Sequence, residues 1–140
     1  MRPLSITRFE QLYLGSTAIG MINLIGSWSR LTAAGGPMVM LGLAIGVGLG
    51  GLMVLAFWYL IARRASNIAK WVLVVLTVLG LISTVTRGGR FVELGMFYTV
   101  LLVLTNLTQI VAIAFLFRRD AAEWLRSRGQ VGVIDVTTFN

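Results

Sequence analysis

PMVMLGLAIGVGLGGLMVLAFWYLIARR, Pro37 to Arg64, carries no charged side chain between Met38 and Ala62 and then stops on two arginines. A bilayer core needs about 20 consecutive apolar residues in a helix, so Met38–Ala62 spans it with some tilt to spare. Pro37 suits a helix start, where its missing N–H costs nothing.

Similar runs lie on either side. Leu12–Trp28 precedes it, and Thr7-Arg8-Phe9-Glu10 ahead of that run has the form of a capping box. The run is too long for a signal-peptide core, and Leu31-Thr32-Ala33 is a poor cleavage site. Ala69–Thr86 follows, then Phe91 or Val92 to Phe117, with Arg87-Gly88-Gly89-Arg90 as the turn between them. The expected fold is an all-α integral membrane protein, an up-down-up-down bundle of four transmembrane helices over about 8–28, 38–62, 69–86 and 92–117. Residues 1–119 form this domain, and residues 120–140 a cytoplasmic amphipathic segment and tail.

Composition agrees. Of 140 residues, 57% are hydrophobic and only 12% charged, against about 25% charged in soluble domains. A chain this short could not hide so much apolar surface from water.

The twelve cations orient the bundle. Arg2, Arg8, Arg63, Arg64, Lys70, Arg118, Arg119, Arg126 and Arg128 fall on one side, and Arg30, Arg87 and Arg90 on the other. The positive-inside rule then puts both termini in the cytoplasm, and a bacterial inner membrane fits. Tyr13, Trp58, Tyr59, Trp71 and Phe117 are expected at the inner interface, Trp28 and Phe91 at the outer. The net charge of +7 is spread over helix ends, which reads as contact with membrane lipids and not with nucleic acid.

Gly42, Gly46 and Gly50 stand four apart on the second helix. This small-xxx-small spacing lets another helix backbone approach closely. Its simplest use is a neighbour in the same bundle; the alternative is a homo-oligomer or other membrane subunits. Gly20 and Gly80 mark packing faces on the first and third helices. At an offset of sixty, Gly20 and Gly80, Ile22 and Ile82, and Arg30 and Arg90 coincide, which leaves two parallel hairpin repeats conceivable. Asn23, Asn106 and Gln109 are the buried polar positions, because lipid cannot satisfy an amide. Interhelical hydrogen bonds among them are expected, or else a polar path.

Chemistry is harder to place. The chain has no cysteine and no histidine, which removes disulfides, thiolate metal sites and the commonest general base. Glu10 and Glu93 lie at helix ends, Glu93 as a surface pair with Arg90, while Asp120, Glu123 and Asp135 lie outside the apolar runs. A proton relay would need an acid deep in the membrane. No catalytic residue, cofactor site or metal site is expected. The layout resembles that of the small multidrug transporters, which place a glutamate inside their first helix; here Glu10 precedes the apolar run. The resemblance therefore extends to architecture and not to the residue that carries their activity.

The expectation is a non-enzymatic protein acting through helix–helix contacts. The alternative is a small oligomeric transporter or pore with a path lined by Asn23, Asn106 and Gln109. Beyond the runs, Asp120–Arg128 should form an amphipathic helix on the headgroups, with Ala121, Trp124 and Leu125 on one face. Val131–Asn140 reads as a disordered tail or a strand for a partner's sheet edge.

Overall fold

A computed structural model describes residues 3–33, 36–86 and 95–128. These are all helix and turn: α1 (Leu4–Ala33), α2 (Gly36–Ala62), α3 (Asn67–Thr86), α4 (Met96–Phe115) and α5 (Arg119–Arg126). The Arg87–Arg90 turn, the Arg90–Glu93 pair, Phe91 and the Val131–Asn140 tail lie outside the described residues.

Three helices, α2, α3 and α4, are long and apolar enough to cross a membrane. At 30 residues α1 has the length but is not among them. Asn23 and a series of serines, threonines and glycines dilute its apolar run. The helix also starts earlier than the capping box implies. Thr7 lies inside α1, and the N–H groups of Ile6 and Thr7 donate to the Pro3 carbonyl.

α1 packs most extensively against α4 and also touches α2 and α5, while α3 packs on α2 and lightly on α4. α1 and α4 are antiparallel. Tyr98 near the start of α4 meets Asn23 and Gly26, and Asp120 beyond its end meets Ser5. Between α2 and α3, the N–H groups of Arg63 and Arg64 both donate to the Tyr59 carbonyl, and that of Ser66 to Leu60. Ala65 takes a left-handed φ of 48°, and the Ser66 hydroxyl accepts the Ala69 N–H at 3.2 Å as an N-cap.

The core sits at one end, where the start of α1 meets the ends of α2 and α4, the start of α3, and α5. Ile6, Phe9, Ile61, Leu116 and Leu125 are its largest fully buried apolar side chains. Phe9 stacks on Tyr13 at 5.2 Å. Tyr13 is a buried member of this core.

α5 packs on the protein and does not lie along the membrane surface as its amphipathic pattern predicts. Ala121, Trp124 and Leu125 are buried in this core and do not face lipid headgroups. Burying the apolar face against protein satisfies it as fully as lipid would, and the start of α1 lies within reach.

Candidate functional site

The small-residue row on α2 comes first. Gly42, Gly46 and Gly50 are exposed, and a Cβ added to any of them meets no atom within 4 Å. Among the described residues, the expected neighbour within the bundle is absent. In α2 only Ile61 and Ala62 are buried, although this is the most apolar of the helices, with a mean hydropathy of 2.3.

Gly20 does sit at a helix contact, where an added Cβ would lie 3.5 Å from Thr105 Cγ2. Gly80 faces open space. Gly26 went unnoticed in the sequence. A Cβ there would lie 3.0 Å from Tyr98 Cε1, and the Tyr98 hydroxyl donates to the Gly26 carbonyl at 2.9 Å. Its residue type alone does not distinguish it from its glycine neighbours, and its partner is 72 positions away.

The amides do not bond to one another. Asn23 donates to the Tyr98 carbonyl at 3.2 Å, across to α4. Asn106 turns back to the Leu102 carbonyl of its own helix at 2.7 Å. Gln109 reaches Thr77 Oγ1 on α3 at 3.4 Å, a long contact. Only Asn106 takes a local backbone partner, while Asn23 and Gln109 each reach a neighbouring helix. The hydroxyls behave alike: Ser16 and Thr17 both donate to the Tyr13 carbonyl, and Ser27 to Asn23.

The polar faces look onto space that packing does not fill. A cavity of about 410 Å³ lies among α2, α3 and α4, where Thr77, Gly80, Asn106 and Gln109 line it. A second, of about 270 Å³, lies on the α1 side, lined by Ser16, Thr17, Gly50, Thr105 and again Gln109. Tyr13 and Val54 line both cavities as well. Among the described residues, neither has a lysine, arginine or carboxylate in its lining. Asn23 lines a separate cavity of about 200 Å³ with Ser27 and Tyr98, so the three amides do not share one space.

At the core end, cations lie over rings. Arg63 sits 5.5 Å from the Trp58 ring centroid and Arg64 5.9 Å from that of Tyr59. Arg118 lies 5.7 Å from Phe115. The Trp58 indole N–H donates to Glu10 Oε1 at 2.8 Å, tying α2 to α1. Asp120 accepts from the Ser5 hydroxyl, which holds its carboxyl below the usual carboxylate range. Among the described residues there is no cluster of three or more acidic side chains that could hold a metal ion.

Fold and composition together define an all-helical protein with three helices fit to span a membrane. No family model matches the chain, and neither a curated protein nor a solved structure does.

Proposed function

We propose that this chain is a non-enzymatic membrane subunit that works by helix–helix contact, as a homo-oligomer or as part of a larger membrane complex. One observation carries the reading: among the described residues, nothing covers the Gly42/Gly46 face of α2. Lipid gains nothing from a glycine groove, whereas a helix backbone can approach it closely and gain dispersion contacts. In this reading α1 joins α2, α3 and α4 as a fourth span, sheltered on one side by α4, with both termini cytoplasmic in a bacterial inner membrane.

The test is native mass spectrometry of the protein released gently from its membrane, as wild type and with Gly42→Leu and Gly46→Leu together. These two positions line none of the cavities above, so the change addresses the α2 face alone. Loss of a multimer or of co-purifying subunits is expected. An assembly of unchanged mass would overturn the reading.

A second reading, a small oligomeric transporter or pore, is favoured by the cavities that meet at Gln109. Their uncharged lining suits small neutral solutes. Proteoliposomes offered a panel of such solutes should then show flux that falls in Asn106→Leu. Absence of flux from the folded protein would count against it.

A further inference from the structure

A lysine on a lipid-facing helix ordinarily extends its ammonium to water along an exposed stem. Lys70, one turn into α3, does not: only 7% of it is exposed. Its Nζ lies 4.8 Å from the Phe117 ring centroid and 5.3 Å from that of Trp71. The two rings meet edge to face at 5.7 Å and 77°. Both are about half exposed, Trp71 at 53% and Phe117 at 47%, so the charge sits behind a pair of rings on the outer surface.

Among the described residues, no carboxylate is paired with Lys70. Glu10 accepts from the Trp58 indole and Asp120 from the Ser5 hydroxyl. Four arginines flank the site along the chain: Arg63 and Arg64 precede α3, and Arg118 and Arg119 follow Phe117. Ring quadrupoles compensate a desolvated ammonium only in part. No anion among the described residues completes that compensation.

We propose that Lys70, framed by Trp71 and Phe117, binds the phosphate of one anionic phospholipid. Lysine binds phosphate as a point charge, and tryptophan favours the headgroup level of a bilayer. Val72, Val75 and Leu79 continue along α3 as exposed apolar surface, which offers a bed for acyl chains that a soluble phosphate would not use. The proposal rests on the membrane-spanning reading of α3 and α4, and it is independent of how α2 is covered.

The test places the full chain in nanodiscs of phosphatidylcholine with a minor fraction of phosphatidylglycerol, then reads retained lipid by native mass spectrometry. Wild type is expected to keep one phosphatidylglycerol in several-fold preference to phosphatidylcholine. Lys70→Met, which preserves the buried stem, should lose that preference, and Lys70→Arg should keep it. Arg126→Gln removes the same charge from an exposed site on α5 and should leave the bound lipid in place. Should Lys70→Met not fold, Trp71→Leu removes half of the frame and is expected to lower retention several-fold. Equal retention in Lys70→Met, or equal loss in Arg126→Gln, would overturn the proposal. Displacement of the lipid by inorganic phosphate would likewise overturn it, in favour of a site for soluble phosphate.

Discussion

The Ser5 hydroxyl lies 2.7 Å from both carboxylate oxygens of Asp120, and the Ser5 N–H points to one of them at 3.4 Å. This contact joins the first turn of α1 to the first turn of α5, across 115 positions of chain. It holds Trp124 and Leu125 against the core end, and α5 adds to the fold what the sequence pattern would assign to the membrane surface.

Ser5→Ala should loosen α5 without unfolding the transmembrane helices. A hydrogen bond to a charged group contributes about 1.5–3 kcal/mol when sheltered, and Asp120 is exposed, so about 1 kcal/mol is expected. Trypsin should then cut after Arg119 and Arg126 several times faster than in the wild type. Unchanged cleavage would mean that the apolar face alone docks the helix.

The same contact sets a pH dependence. The Ser5 hydrogen bond lowers the Asp120 pKa below its ordinary 3.8. A depressed acid pKa stabilises the docked state fully above the undocked value, and that contribution disappears as pH falls through the docked one. Docking of α5 should therefore hold from neutral pH down to about pH 4 and weaken in stronger acid. Asp120→Asn should flatten this acid limb in a proteolysis or fluorescence titration.

Trp58→Phe removes the indole donor to Glu10 while retaining an aromatic ring for Arg63. A loss of about 1–2 kcal/mol is expected for a half-buried bond to a carboxylate. Thermal unfolding in mild detergent measures it, and a midpoint equal to that of the wild type would show that Glu10 gains as much from other partners.

Two glycines of α1 should respond oppositely to alanine. At Gly26 the new methyl would press on the Tyr98 ring and strain the bond from its hydroxyl, so α1 and α4 should separate more readily. At Gly15 the methyl enters open space, and the gain in helix propensity is up to about 1 kcal/mol. Comparing the two midpoints under one set of conditions decides it.

Much of this was legible along the chain. Apolar runs closed by Arg63-Arg64 and Arg118-Arg119 mark α2, α3 and α4, since helix length and the absence of charge are local properties read directly against bilayer thickness. The stop at Arg63-Arg64 and the short α5 are local too, the latter through its strong amphipathic pattern. Partners were not legible. Gly20 and Gly42 carry the same small-residue signal, yet one meets Thr105 and the other meets none of the described residues. Asn23, Asn106 and Gln109 look alike as isolated amides, and each found a different kind of acceptor.

The sequence by itself determined that the chain is helical, which segments are apolar enough for a membrane, and where the positive charges gather. Those follow from residue type and spacing alone. Only the tertiary structure decided that α5 folds onto α1, that no described residue covers the α2 glycines, and that Lys70 stands behind the rings of Trp71 and Phe117. Such facts depend on contacts between residues far apart in the chain, and many pairings satisfy the same pattern of apolar and small residues until packing selects one.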